Sequence, residues 1–169
     1  MSRLENALEW CLKQGGKEEK HKGLRTIKPD SLESERQIKK ALSDLETMQY
    51  LFDGGKTDWV ASAAFYAMYH SLLAVLYRMG YESRNQECTI IVIEKLVEEK
   101  AIGLEQEYVD MIRNMQDGTE DVKSIREQIQ YGSETSMERA RCKRLMDDAK
   151  KFVERVREVL EEARQREVQ

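Results

Sequence analysis

Proline is all but absent: Pro29 is the single instance in 169 residues, and glycine numbers nine. Chains of many strands joined by tight turns consume Pro, Gly and Asn, so this scarcity excludes an all-β architecture. It also excludes collagen-like and glycine-rich low-complexity classes. Histidine occurs twice. A carboxylate-bridged di-metal bundle needs two Glu-x-x-His pairs facing inward. The one such spacing, Glu18/His21, falls in a charged stretch with nothing to pair with, so no metal is expected and His21 reads as a solvated loop histidine. Three cysteines, Cys11, Cys88 and Cys142, are scattered and odd in number, and no pair has metal-ligand spacing. They read as reduced thiols of a cytoplasmic protein. The N-terminus alternates charge with apolar residues from Arg3 onward, unlike a signal peptide. No Walker-type phosphate loop is present, and no cofactor is implied.

Charge, by contrast, is plentiful. Asp, Glu, Lys and Arg make up 36% of the chain and hydrophobic residues 40%. That is too apolar for a disordered chain, and charge is well above the usual share of roughly 25%. A chain of this length is one domain that buries roughly 70% of the surface exposed when unfolded, without needing a staple. The net charge of −4 is uneven. An acidic middle lies between mildly basic ends, which does not fit a general nucleic-acid binder.

Hydrophobic spacing divides the chain into a short N-terminal helix with a linker loop, residues 1–30, and a main domain, residues 31–169. Leu4, Ala7, Leu8 and Cys11 recur at helical spacing until Gly15-Gly16. Residues 17–29 are charged and aperiodic and read as a loop. Asp30 with Glu33 has capping-box spacing. A first long helix runs from about Ser31 to Phe52, with Ile38, Ala41, Leu42, Leu45, Met48 and Phe52 on one stripe. A second runs from Asp58 to Met79, N-capped by Thr57 or Asp58, with Gly80 just past its end. Trp59 to Tyr77 carries no formal charge and approaches membrane-spanning length. Ser62, His70, Ser71 and the Ala and Tyr content point instead to a buried helix at the centre of a bundle. His70 within it reads as a satisfied core residue.

A third helix begins near Asn85 and runs to Lys100. A fourth carries Tyr108, Met111, Ile112, Met115, Val122, Ile125 and Ile129 on one stripe that continues through Gly118 to Gly132. Thr135 and Glu138 have capping-box spacing for the last helix, with Phe152, Val153, Val156 and Leu160 on its apolar face. The fold class is therefore all-α: an up-and-down antiparallel bundle of five helices with a short N-terminal helical extension.

The run Ala63-Ala64-Phe65-Tyr66-Ala67-Met68-Tyr69-His70-Ser71, then Gly80-Tyr81-Glu82-Ser83, then Asn85-Gln86-Glu87-Cys88-Thr89-Ile90, resembles the HEPN family of small helical bundles. Arg126 to Gly132 followed by a long last helix fits as well. The resemblance spans about residues 31–165. It implies a dimeric bundle, with many relatives acting as RNases or RNase toxins and many encoded beside a minimal nucleotidyltransferase. The family's active-site motif is Arg, four to six residues, then His, with one branch reading Arg-x4-Tyr-x-His. Here Arg126 and Tyr131 match, and Ser133 stands where the His belongs.

That departure has a chemical meaning. Histidine exchanges protons near neutral pH, with an unperturbed pKa of about 6.5. A serine hydroxyl does not. Arg126 retains a planar fork of donors suited to phosphate. The resemblance thus implies Arg126, Tyr131 and Ser133 as anion or nucleotide contacts with no catalytic residue among them. Read without the resemblance, Arg126 is a helix-end cation and Tyr131 a packed aromatic. Arg139, Arg141, Lys143 and Arg144 either extend a phosphate-binding surface or form a solvated face paired with Asp147 and Asp148, the second reading being preferred. The expected function is a non-catalytic or weakly catalytic HEPN binding module of a nucleotidyltransferase or toxin–antitoxin type system. The alternative is a metal-independent RNase of toxin type using another base, for which His70 is the main-domain candidate. Expected partners are a second copy, a minimal nucleotidyltransferase, and a nucleotide or RNA. No membrane association is expected.

Overall fold

The computed structural model describes residues 2–17, 20–117 and 139–169. Among these, six helices and two short strands follow in the order α1 (Arg3–Gly15), β1 (Leu24–Thr26), α2 (Ser31–Asp53), α3 (Thr57–Met79), β2 (Tyr81–Ser83), α4 (Gln86–Glu98), α5 (Gln106–Asp117) and α6 (Arg139–Val168). This is the expected all-α bundle with an N-terminal helix. Continuation of the fourth helix through Gly118, the stop at Gly132 and the Thr135/Glu138 cap lie outside the described residues.

The α2–α3 pairing is the most extensive in the molecule. α2 starts where its sequence says it should: Asp30 accepts the Glu33 backbone N–H at 2.9 Å. The Glu33 side chain turns to Arg36 and Gln37 instead of closing a reciprocal box. α3 runs back antiparallel, and Ser34 Oγ donates to the Ala74 carbonyl across the pair at 2.8 Å. The start of α3 differs from expectation. Lys56 is its N-cap residue, with no side-chain cap bond, and Thr57 is already helical. The N–H of Lys56 donates to the Leu51 carbonyl and that of Trp59 to the Lys56 carbonyl, so backbone bonds tie the turn.

α3 is apolar on all sides because it is the centre, in contact with α2, α4, α5, α6 and β2. Its length and hydropathy would let it cross a membrane, yet 78% of its most apolar window is buried by the rest of the chain. Met68, Leu72, Val75 and Leu76 meet Met48 of α2, Ile90 and Ile93 of α4, Ile112 of α5 and Phe152 and Val156 of α6 in one core. A satellite of Ala41, Ala67 and Val153 marks where α2, α3 and α6 come together. Small residues at such a point let helix backbones approach closely.

Three expectations are corrected. First, the stretch 17–29 is not all loop. β1 pairs antiparallel with β2, in the register Leu24↔Ser83, Arg25↔Glu82, Thr26↔Tyr81. The ribbon is extended at both ends by Ile27 N–H to the Gly80 carbonyl and Arg84 N–H to the Gly23 carbonyl, each 2.9 Å. Gly80 makes this possible: its φ is +86° and a Cβ there would stand 2.9 Å from the Ile27 carbonyl oxygen. Second, His21 is not solvated. It is 2% exposed, with Nε2 2.9 Å from Glu82 Oε1. The Gly23 N–H donates to Nδ1 at 3.3 Å, which leaves Nε2 as the N–H that donates to the carboxylate. Third, Cys11 and Cys88 are not reduced. They form a disulfide between α1 and the first turn of α4, and Cys142 alone is a free thiol. With two of three cysteines joined, reduced thiols no longer point to the cytosol.

α1 packs against α4 and β1, adding Leu4, Ala7, Leu8 and Cys11 to the main core. Ser2 and Glu5 form a full capping box at its start.

Candidate functional site

The residues expected from the sequence to contact an anion, Arg126, Tyr131 and Ser133, lie outside the described residues. The structure does describe the helices on either side of that segment and the other group singled out for chemistry, His70.

α6 begins against the turn between α2 and α3. The Arg139 guanidinium lies 4.2 Å above the centre of the Phe52 ring, a cation–π contact. One turn on, Cys142 Sγ donates to the Thr57 carbonyl at 3.6 Å, and burial pushes its thiol pKa up. Lys143, Arg144, Asp147 and Asp148 are all exposed. No ion pair joins Lys143 to Asp147 or Arg144 to Asp148 among the described residues, so the expected pairing along this face is not made.

His70 is 9% exposed and projects from α3 toward α2. Its Nδ1 sits 2.5 Å from Asp44 Oδ2. The ring stacks on Tyr66 at a centroid distance of 5.9 Å and leans on Tyr69 at 5.8 Å. The expectation of a satisfied core histidine holds. Its partner was not named from the sequence, because Asp44 is 26 residues away. A signal was nevertheless available. Asp44 and His70 lie on opposite sides of the Gly54-Gly55 turn, in facing parts of an antiparallel hairpin.

A carboxylate that accepts from Nδ1 fixes the imidazole tautomer and leaves Nε2 as a lone-pair acceptor. No hydrogen bond reaches Nε2 from the described residues. The His70 side chain is 11% exposed. Tyr66 beside it is 41% exposed, and Trp59 two turns earlier is 60% exposed. Phe65 and Tyr69, by contrast, turn inward and stack with each other, 6.1 Å apart. Tyr69 Oη reaches Thr89 Oγ1 at 3.4 Å, and burial raises its pKa. The two faces of α3 thus differ. One is sealed by α4, and the other carries an Asp–His pair beside the exposed ring of Tyr66.

No group of three or more His, Cys, Asp or Glu among the described residues is placed to hold an ion.

No curated protein matches the chain significantly. The family model of the HEPN domain, however, matches residues 34–160, from the first turn of α2 to the last third of α6. That stretch contains the whole α2–α5 core and the Asp44–His70 pair, and it makes up most of the chain: this protein belongs to the HEPN family.

Proposed function

We propose that this HEPN protein works by binding rather than by cutting. It pairs with a second copy of itself, holds a nucleotide or RNA through Arg126 with Tyr131 and Ser133, and serves a small nucleotidyltransferase partner in a toxin–antitoxin type system. The observation that carries the reading is Ser133 in the place of the motif histidine, which removes the proton-transfer group from the motif. Self-pairing is supported by Trp59 and Tyr66, large rings left at the surface of the central helix. The test joins two measurements. Sedimentation at tens of micromolar should give a dimer. Nucleotide or short-RNA binding should weaken with salt and fall about tenfold or more in Arg126→Ala, the loss of roughly 1.4 kcal/mol. A monomer, or binding unchanged in the variant, contradicts the reading.

A second reading, cleavage of RNA by another base, is favoured by the Asp44–His70 geometry, in which a carboxylate holds the imidazole by Nδ1 and leaves Nε2 as an acceptor. RNA cleavage by the purified protein that survives Arg126→Ala but is lost in His70→Ala would select it.

A further inference from the structure

The contacts of α1 set it apart from the rest of the bundle. It touches α4 and β1 and makes no comparable contact with α2, α3, α5 or α6. Only Cys11 and Gly15 of its thirteen residues are fully buried. Leu4, Ala7 and Leu8 are half-buried against the core, while Trp10 and Leu12 are 52% and 38% exposed and add little to docking. The covalent bond from Cys11 to Cys88 adds to this one-sided packing and ties α1 to α4. α1 is also one wall of a cleft of about 640 Å³. Arg3, Leu4 and Ala7 line it from α1, facing Ile91 and Glu94 of α4 and Arg113 of α5.

We propose that the Cys11–Cys88 pair is a redox clasp: its reduction by a dithiol releases α1 from α4 and removes that wall of the cleft. The inference is independent of the function proposed above, since it rests on α1 alone. Both cysteines are fully buried, so the bond is reached when α1, a helix with most of its residues exposed or half-buried, lifts locally. A thiolate of the reductant attacks one sulfur. The S–S bond breaks, its electron pair passes to the other cysteine sulfur, and that sulfur takes a proton. The second thiol of the reductant then resolves the mixed disulfide, forming the reductant's own disulfide and freeing the remaining cysteine. Two electrons and two protons enter the chain. A free helix as short as α1 is marginal in water even with a capping box, since roughly 12–15 residues are needed. Once released, α1 therefore frays.

The experiment is limited trypsinolysis of the full chain, oxidised and under sustained dithiothreitol, with cleavage after Lys13 followed by mass spectrometry. Lys13 lies inside α1, so its peptide bond is cut when the helix is open. A parallel sample is titrated for thiols, and far-UV circular dichroism follows the bundle. Two additional thiols, cleavage after Lys13 accelerated several-fold, and a retained bundle spectrum are expected. Cys11→Ala should cleave at the fast rate without reductant. The proposal is overturned if cleavage after Lys13 stays slow once both thiols are free. It is equally overturned if the thiols appear only when the helical spectrum of the whole domain collapses.

Discussion

Asp44 Oδ2 and His70 Nδ1 stand 2.5 Å apart, joining the middle of α2 to the middle of α3. The carboxylate is the acceptor that lets the imidazole be buried, since a buried donor without a partner costs about 1–3 kcal/mol. Asp44→Ala should therefore lower unfolding free energy in urea by roughly that amount. Asp44→Asn, which keeps an oxygen in place, should lose less. Equal losses in the two variants would show that the oxygen is not what matters.

The second prediction concerns acid. The hydrogen bond from His21, foremost, together with the Arg84 charge, holds the Glu82 carboxyl below its ordinary 4.5. A carboxyl with a depressed folded-state pKa stabilises above its unfolded value, and that contribution is lost as pH falls through the folded value. The stability gap between the parent and Glu82→Gln should be full near neutrality. It should shrink below about pH 4.5 and close at lower pH. A gap that widens on acidification would contradict the assignment. Paired thermal melts across this range decide the matter.

Close packing at Gly15 gives the third. A Cβ there would stand 1.8 Å from the carbonyl oxygen of Leu24, which is backbone and cannot swing aside. That same approach lets Arg25 Nε donate to the Gly15 carbonyl at 2.7 Å. Gly15→Ala should cost about 1–3 kcal/mol, the usual penalty of overpacking. Gly16→Ala, where the nearest atoms are 3.8 Å away, should be close to neutral. Chemical unfolding of the two variants side by side is the check.

Arg155 supplies a fourth. Its Nε donates to Glu105, its Nη1 to Glu158 and Glu162, and its Nη2 to the Gly103 carbonyl at 2.8 Å. These bonds, Glu105 foremost, raise its pKa further and keep it charged. One planar fork thereby pins the turn before α5 onto α6. Lysine cannot reproduce that geometry. Arg155→Lys should lose about 1 kcal/mol at low salt and less at high salt, because the carboxylates are half exposed. Urea titrations at two ionic strengths measure it.

The helices were legible in the sequence because their apolar residues keep a 3.6-residue period and their ends carry Asp30, Gly80 and Asn85. The central place of α3 was legible for the opposite reason: its apolar residues show no preferred face. β1 was not legible. Leu24-Arg25-Thr26 is too short to show alternation, and its partner Tyr81-Glu82-Ser83 lies beyond two long helices. The same distance hid the partners of His21 and Cys11, both on or beside that ribbon. Three cysteines allow several pairings, and spacing alone chooses none of them. Of the candidate site, Arg126, Tyr131 and Ser133 came from a motif comparison and lie outside the described residues. His70 was placed in the core from its apolar neighbours, while Asp44 needed the hairpin register.

Cys11 and Cys88 stand 77 positions apart in the chain. The oxidised polypeptide is therefore a lasso. Its ring holds the end of α1, the whole linker, both strands, α2 and α3; one tail is the start of α1, and the other holds most of α4 together with α5 and α6. Unfolding does not open the ring. A denatured oxidised chain must occupy a smaller volume than the reduced one, and it should run ahead of it on a non-reducing denaturing gel. The central hairpin is accordingly never far from its own closing ends, even when every hydrogen bond in the molecule has been lost.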